Sequence, residues 1–529
     1  MKKIFVVLLG MSIMASCNRD SDSTDIQGGT LTPAELGLKH FSQSELEKDF
    51  TPLNESSNLS GKTGSQLNYT FRGYANPVED GALTTLAASA ICQVDDMIFV
   101  AWHTNDYGSL TGTQGSVSGS LCAYRLSGIG QYQLMDRVDF EQHDWYGVAG
   151  HRNNETGNIE VFVTGQRNTA SSQYVLSGHK GAVVSRIDYD YVNDEFWEGS
   201  IEEIPLPGLA GTDIIALGAQ YFVSCGDGIG GVNAVGGVYQ VDRSLRNVIS
   251  ADVNITDAVD MELDLRTVTP TGGDFYVLDR NAAAVPSENV FIKHYSFNGF
   301  GINYNGVIAK NGDHRYVQPI YIIPGDPLSG ISVAGYWTRD IDNDISPVAQ
   351  GKGHLILAQA KRGPTGLIPS VFSKDSLLTV YGSGANNTGY IYKARGGQDV
   401  AGVSPTSPSL MDRSMARGRF SAMRFDPSLG VLYCGGGDGA PGEAGLTVIA
   451  MGEFSGDAAL PTDPKPFVST HDLVGKLVLP SSVNTFNNLG NPIVVNLGAK
   501  AVNDIAIYQT RHIAVSLGDD GLMFIQRNN

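Results

Sequence analysis

The sequence predicts an all-β protein, and three observations support this prediction. Glycine accounts for 64 of 529 residues, about twice its usual share. Charged residues make up only 17% of the chain, below the roughly 25% of an average soluble protein. Short apolar runs rich in β-branched residues alternate with glycine-rich turns along most of the chain. Together these features are typical of many short strands joined by tight turns.

The last part of the chain shows the clearest repeat unit. Three predicted strands and two turns, the second rich in Gly and Asp, follow one another over residues 503–525. The same order recurs from Asp213 and from Phe420, and weaker copies begin near positions 84, 145, 266 and 317. The chain therefore repeats one supersecondary unit seven times.

Repeats of this kind predict a β-propeller, because a single four-stranded sheet can bury both faces only between neighbouring sheets. We count seven blades, and a further strand pair at Leu377–Tyr381 and Tyr390–Lys393 leaves room for an eighth. A pair of packed sheets is the alternative architecture. The repeat at 503–524 resembles those of bacterial propellers with LVIVD or YVTN-type repeats, and this resemblance implies the same fold.

The predicted propeller domain covers residues 67–529. The run Leu67–Phe71 lies before the first blade, and it could supply the outer strand of the last blade and so close the ring. We expect residues 17–66 to form a polar tether. A short helix is possible within Pro33–Lys48, where acidic residues near Ser and Thr fit helix capping.

The first residues have the features of an export signal. Lys2 and Lys3 precede a short apolar run, and Ala15 and Ser16 stand directly before Cys17. This order resembles the lipobox of bacterial lipoproteins, except that Met14 stands where leucine is usual. The resemblance implies removal of residues 1–16, acylation of Cys17 and attachment to a membrane. An ordinary secretion signal with a chance cysteine is the alternative.

Charge and cysteine content exclude several classes of partner. The formal net charge is −19, which argues against nucleic-acid binding through bulk charge. The cysteines other than Cys17 show no CxxC or Cys/His spacing, so we predict no metal site and no cofactor. We expect these four cysteines to be buried and free.

Residues far apart in sequence should converge on one face of a propeller. On this face the first strand of each blade begins and the second strand of each blade ends. Starts of first strands bring Asp144, Asp213 and Asp504 to this face. Tryptophan beside planar polar groups suits sugar recognition. The predicted ligand-binding residues are Trp102, His103, Trp145, Arg167, Asp227, Arg280, Trp337, Asp438 and Asp519.

Structural roles could also explain the same residues. Tryptophans near strand ends often pack between blades, and aspartates in Gly/Asp turns cap nearby backbone amides. A histidine without a partner motif, such as His103, is more often structural than catalytic. No catalytic residue is therefore assigned. The sequence favours a binding protein over an enzyme.

These observations favour an envelope or surface lipoprotein whose propeller binds a glycan or a partner protein without chemistry. We expect the outer membrane or cell surface rather than the inner membrane. One alternative is a carbohydrate-active hydrolase or lyase with His103, Arg167 and Arg280 near its centre. Another is a structural subunit of an outer-membrane assembly.

Overall fold

The computed structural model describes most of the chain from residue 29 onwards. The described residues are 29–30, 38–60, 66–79, 85–104, 118–127, 131–168, 181–208, 210–217, 220–226, 236–253, 255, 258–269, 271–280, 290–310, 331–337, 353–359, 377–383, 391–395, 398–399, 420–426, 431–436, 445–451, 471–487, 490–497, 502, 504–509, 511–518 and 520–528.

The N-terminal segment contributes four strands, a short α-helix and a 3-10 turn. They are β1 (Gly29–Thr30), β2 (Leu38–His40), α1 (Gln43–Leu46), a 3-10 turn (Glu47–Asp49), β3 (Phe50–Ser60) and β4 (Gln66–Ala75). Ser42 precedes α1, and its backbone amide donates to Glu45 Oε2 at 2.8 Å. Ser42 Oγ donates to the same oxygen at 2.7 Å. The contact to the Ser42 amide is one half of a capping box, and it holds the first turn of α1, which lies within Pro33–Lys48.

The first four blades then follow in chain order. Blade 1 contains β5 (Leu86–Val94), β6 (Met97–Thr104), β7 (Gly119–Leu126) and β8 (Tyr132–Phe140). Blade 2 contains β9 (His143–Arg152), β10 (Ile159–Arg167), β11 (Ala182–Asp190) and β12 (Glu195–Pro205). Blade 3 contains β13 (Ala210–Leu217), β14 (Gln220–Gly226), β15 (Gly237–Val241) and β16 (Val248–Asp252). Blade 4 contains β17 (Ala258–Thr269), β18 (Gly272–Arg280), β19 (Val290–Phe297) and β20 (Ile302–Lys310).

Three more blades and a hairpin complete the described chain. Blade 5 contains β21 (Ile331–Trp337), β22 (Gly353–Gln359), β23 (Leu377–Ser383), β24 (Ile391–Arg395) and β25 (Gln398–Asp399). Blade 6 contains β26 (Phe420–Asp426), β27 (Val431–Gly436), β28 (Gly445–Met451) and β29 (His471–Val478). The hairpin consists of β30 (Ser482–Phe486) and β31 (Pro492–Asn496). Blade 7 contains β32 (Asp504–Tyr508), β33 (His512–Ser516) and β34 (Leu522–Arg527), followed in space by β4 and β3.

The seven blades form a closed ring. The first strands β5, β9, β13, β17, β21, β26 and β32 each contact the next, and β32 contacts β5. The last blade is completed by β4, which pairs antiparallel with β34. The predicted seven-bladed propeller is thereby confirmed, and so is closure through the region Leu67–Phe71.

The sequence-based division into blades differs from the structure at three places. The strand pair that left room for an eighth blade forms β23 and β24, which are the third and fourth strands of blade 5. The copy that begins near 317 implied that Ile331–Tyr336 is the second strand of its blade. β21 is instead the first strand of blade 5, because it contacts β17 and β26, the first strands of the neighbouring blades. Blade 4 begins at Ala258 rather than near 266, since β17 is longer than the repeat suggested.

Much of the expected tether belongs to the propeller itself. β1 pairs with β12, β2 pairs with β8, and β3 pairs with β4. The N-terminal segment therefore passes along the outer edges of blades 2, 1 and 7 in that order. Outer strands expose unpaired amides and carbonyls, and adding a strand satisfies them. The sequence could not show this because β1 and β2 are only two and three residues long.

Apolar side chains fill the spaces between blades. The layer between blades 1 and 2, for example, includes Phe99, Leu121, Trp145 and Val163, all fully buried. Similar layers lie between blades 2 and 3, between 3 and 4, between 6 and 7, and between 7 and 1. The core is therefore distributed around the ring, and the polar ends of the blades are left to form sites.

Candidate functional site

The end of the ring where first strands begin and second strands end is called here the mouth face. First strands run away from this face along the central channel, and their inner edges have no neighbouring strand to pair with. Backbone amides and carbonyls on such an edge need other partners. The side chains that supply these partners define the chemistry of the channel.

Hydroxyl groups join first strands across the blade boundaries. Ser89 Oγ lies 2.6 Å from the carbonyl oxygen of Trp145 in the next first strand. Thr212 Oγ1 lies 2.8 Å from the carbonyl oxygen of Ala258 in the same relation. Both residues sit at a β-bulge near the start of their strand. A bulge re-aims the extra side chain, and here it directs a hydroxyl to the neighbouring blade.

Two aspartates satisfy amides of the inner edges in the same way. Asp213 accepts hydrogen bonds from the amides of Ile214 at 2.8 Å and Met261 at 2.9 Å. Asp504 accepts from the amides of Ile505 and Ile91, both at 2.7 Å. Each carboxylate thus ties its own strand to the next first strand.

The aspartates belong to a charged collar in the channel, made of Asp213, Asp260, Asp504 and Arg424. Burial raises the pKa of Asp504 to about 6 and also raises the pKa of Asp213. The positive charge of Arg424 opposes both increases. Because Arg424 lies on blade 6 and acts on residues of blades 3 and 7, its guanidinium lies near the channel axis. Its side chain is exposed, so it faces the solvent of the channel.

A second polar group lies on the mouth face between blades 1 and 2. Asp144 Oδ1 accepts hydrogen bonds from Thr104, at 2.7 Å from the amide and 2.6 Å from the hydroxyl. His103 Nδ1 donates to the carbonyl oxygen of Thr104 at 2.7 Å. Burial lowers the pKa of His103 to about 4. His103 is therefore neutral at physiological pH, and its ring packs at 5.2 Å against Tyr146.

The strongest ionic contacts on this side of the ring are buried inside blade 2. Glu203 lies 2.8 Å from His143 Nε2 and accepts from Arg167 Nη1 at 2.7 Å and from Ser185 Oγ at 2.8 Å. His143 stacks on the ring of Trp145 at 4.7 Å. Buried charges of this kind are tolerated only when paired. The predicted ligand residue Arg167 is thus occupied by Glu203 and holds the mouth end of the blade together.

Trp102 and Trp145 are fully buried in separate apolar layers between blades. Neither ring is accessible to a sugar, so the packing explanation fits both residues better than the predicted ligand contact. His103 is 3% exposed and is equally unavailable in this arrangement.

The other predicted residues are less fully described. Arg280 ends β18, a second strand, so its backbone reaches the mouth face as expected. Trp337 ends β21, a first strand, so its backbone lies at the opposite end of the blade from the predicted face. The turn residues Asp227, Asp438 and Asp519 lie outside the described residues.

The hairpin β30–β31 exposes apolar side chains on the mouth face. Thr485 Oγ1 donates to Asn76 Oδ1 at 2.8 Å, and Asn76 Nδ2 donates to the carbonyl oxygen of Phe486 at 2.7 Å. These contacts fix the hairpin against the end of β4 in blade 7. Phe486 pairs with Pro492, and Val494 pairs with Asn484, all four of them exposed. Isolated hairpins are marginally stable in water, so docking onto the propeller holds this apolar face outward.

Sequence reasoning identified Asp213 and Asp504 but missed Asp260, Arg424 and the hairpin. Asp260 could have been found, because Val259-Asp260-Met261 matches the pattern of Asp213-Ile214 and Asp504-Ile505. The hairpin also has a signal, since residues 477–499 contain no charged side chain. Arg424 has no such signal, since only closure of the ring brings it near residues of other blades.

No group of three or more His, Cys, Asp or Glu side chains is arranged to hold a metal ion in the described part of the chain. Within the same residues, no helix has the length and apolarity to cross a membrane.

Comparison with known proteins gives distant structural similarity alone. No protein-family description and no curated protein matches the chain. It is similar to the WD40 β-propeller domain of Doa1, with 9% identity, 89% of this chain and 97% of that chain covered, and a TM-score of 0.39. It is also similar to a putative 6-phosphogluconolactonase from Bacteroides fragilis, with 10% identity and a TM-score of 0.33. This match covers 83% of this chain and 92% of that chain.

A third similar structure is a Trichoderma reesei carbohydrate-active enzyme of family AA12, with 11% identity and a TM-score of 0.31. This match covers 86% of this chain and 98% of that chain. Scores this low carry no argument about function. The ring of seven sheets itself establishes that the chain forms a β-propeller.

Proposed function

We propose that this protein is an envelope lipoprotein whose propeller is a non-catalytic scaffold that binds a partner protein on its mouth face. The observation that carries the proposal is the hairpin β30–β31, which presents Phe486, Pro492 and Val494 to solvent. Exposed apolar clusters of this kind mark interaction surfaces. Its flanking sequence lacks charge, which suits a protein surface better than a charged polymer.

The carboxylates near the mouth face already accept structural hydrogen bonds, and this supports a role in binding over a role in catalysis. Asp144, Asp213, Asp504 and Glu203 each accept at least two hydrogen bonds that hold strands or blades together. A general base needs a lone pair within reach of its substrate. These carboxylates instead use their oxygens to fix the architecture.

The anchoring part of the proposal rests on the lipobox-like sequence before Cys17. Acylation there would attach the chain to a membrane, and the outer membrane or cell surface is the proposed location. Metabolic labelling with palmitate should modify the wild-type chain, and Cys17→Ser should abolish both labelling and membrane retention. Release of the unsubstituted chain as a soluble, unlabelled protein would refute the anchor.

The partner surface is tested by placing a photo-crosslinking amino acid at position 486 in the producing cells. The expected result is one saturable crosslinked species, which disappears when Val494→Asp is added. The same crosslinker at Glu155, an exposed turn residue on the opposite face, is the matched control. Equal crosslinking from both positions would show nonspecific contact and would contradict a hairpin-mediated interaction.

A glycan remains the second candidate ligand, since polar groups of the channel collar could bind sugar hydroxyls. Arg424 is exposed in the channel and could contact such a ligand. A glycan array combined with a product assay on the same polysaccharides distinguishes the classes. Binding lost in Arg424→Ala would favour a glycan receptor, and turnover would identify an enzyme.

A further inference from the structure

Exposed apolar side chains recur at one corner of three successive blades. The corner is the outer strand near the turn that joins the third and fourth strands, opposite to the mouth face. Five residues occupy it, and they are called here the rim patch: Val192 and Trp197 in blade 2, Ile249 in blade 3, and Phe300 and Tyr304 in blade 4. Phe300 is 89% exposed, Val192 85% and Trp197 57%.

The pattern follows the blade architecture closely. Trp197 and Tyr304 are the third residues of β12 and β20, and Ile249 is the second residue of β16. Val192 and Phe300 lie in the turns just before the outer strands of their blades. The exposed apolar side chains therefore lie at the same end of the outer strand in blades 2, 3 and 4.

The N-terminal segment reaches the ring on this same side. β1 pairs with β12 at Glu202 and Glu203, so it covers the mouth half of that strand and leaves the half with Trp197 uncovered. Because the pairing is antiparallel, the chain before Gly29 leaves β1 towards the mouth end of β12, and only a turn back along the blade brings Cys17 to the rim patch. Eleven residues, 18–28, separate Cys17 from Gly29. Fully extended they span about 40 Å. Trp197 lies opposite Asp188 and Glu203 opposite Ser185, three residues apart on β11, so the distance along the blade is only about 10 Å. A lipid on Cys17 can therefore lie level with the rim patch.

We infer that the rim patch is a membrane-contact surface, with the outer edges of blades 2 to 4 resting on the lipid interface. The inference rests on the proposed acylation of Cys17. Tryptophan and tyrosine are favoured at the membrane–water interface, where one end of the ring is apolar and the other is solvated. A single acyl chain gives only weak membrane binding, and a second contact between protein and membrane strengthens that binding. The net charge of −19 opposes anionic lipid, so the surface should be zwitterionic.

This orientation places the partner-binding hairpin away from the membrane. Blade 3 is at the centre of the rim patch, and in a ring of seven it lies opposite the boundary between blades 6 and 7, where the hairpin is inserted. The rim patch is also at the end of the blades opposite to the mouth face. Membrane attachment and partner binding would then use separate sides of one rigid ring.

The test uses the full chain as its producing cells process it, on phosphatidylcholine vesicles that contain brominated lipid, with N-terminal mass recorded and tryptophan fluorescence as the readout. Quenching should be clear for the wild type, and most of it should disappear in Trp197→Phe while vesicle retention persists. Adding Phe300→Trp to that variant should restore quenching. Adding Phe486→Trp, on the hairpin, to the same variant should not restore quenching. Circular dichroism checks that each variant is folded.

The outcomes separate the two proposals. Retention with no Trp197-dependent quenching would overturn the rim contact and leave the anchor standing. Loss of retention of the unsubstituted chain, with an N-terminal mass lacking acyl groups, would overturn both. Quenching restored by tryptophan at 486 as readily as at 300 would show that the ring has no fixed orientation, and would also overturn the rim contact.

Discussion

The strand edges of this propeller are treated in two ways, and the contrast separates architecture from function. The mouth half of the outer edge of blade 2 is covered by β1, and beneath it Glu203 is buried with Arg167 and His143. The outer edges of blades 3 and 4 have no added strand in the described residues and expose Ile249, Phe300 and Tyr304. Covered edges contain paired charges, and uncovered edges expose apolar surface. The first arrangement stabilises the ring, and the second leaves surface free for contacts with other molecules.

The largest expected effect comes from breaking the covered edge at Glu203. Glu203→Ala would leave Arg167 buried without its carboxylate, and we expect a loss of about 3–5 kcal/mol in the free energy of unfolding. Urea unfolding followed by circular dichroism measures this. Glu202→Ala is the matched control on the same strand, and because Glu202 is only partly buried it should cost about 0–1 kcal/mol. Equal losses from the two substitutions would contradict a special role for the buried cluster.

On the inner edges of the first strands, side chains and not added strands satisfy the backbone amides. The pH dependence of Asp504, which accepts two of these amide hydrogen bonds, tests this arrangement. Its folded pKa of about 6 is above its ordinary value of 3.8. The folded state therefore holds a proton more tightly than the unfolded state, so stability falls as the pH rises from about 4 to about 6. The full effect at higher pH is about 2 kcal/mol, after allowance for partial solvation of the carboxyl group.

Asp504→Asn removes this titration, so the difference in unfolding free energy between wild type and variant should change across pH 4 to 7. Asp49 titrates in the same range, but its contribution is common to both proteins and cancels in the difference. Parallel stability curves for the two proteins would show that Asp504 has no raised pKa.

Closure of the ring through β4 provides a smaller and more local test. The hydroxyl of Tyr74 is buried and donates to the carbonyl oxygen of Asp520 at 2.7 Å. Tyr74→Phe should cost about 1 kcal/mol, the usual value of one buried hydrogen bond. Tyr508→Phe, which removes a hydroxyl from an exposed contact with Gln509, is the control and should change thermal stability much less. A negligible effect of Tyr74→Phe would show that this bond does not stabilise the closure.

The smallest effect is expected at the open edge. Phe300→Ser removes an almost fully exposed ring, so the unfolding free energy should change by less than about 0.5 kcal/mol. A loss of several kilocalories per mole would place Phe300 in the core and remove the contrast between covered and open edges. Chemical denaturation at a single pH is sufficient for this measurement.

The sequence by itself determined the all-β class and the repeat, because alternation and Gly/Asp turns are local properties of the chain. It favoured seven blades but left room for an eighth, and only closure of the ring decided the number. It also identified the closing region around Leu67–Phe71, which is confirmed by the pairing of β4 with β34. Asp213 and Asp504 were identified from their place at strand starts. Each of these conclusions depends on residues that are neighbours in sequence.

Only the tertiary structure decided which polar and aromatic residues are available for binding. Trp102, Trp145 and Arg167 have the sequence features of ligand residues, yet they are buried between blades or paired with Glu203. Burial depends on neighbours from other blades, and those neighbours are set by closure of the ring. The same reason explains why the N-terminal strands escaped prediction: two or three extended residues gain strand character only from the edge they cover.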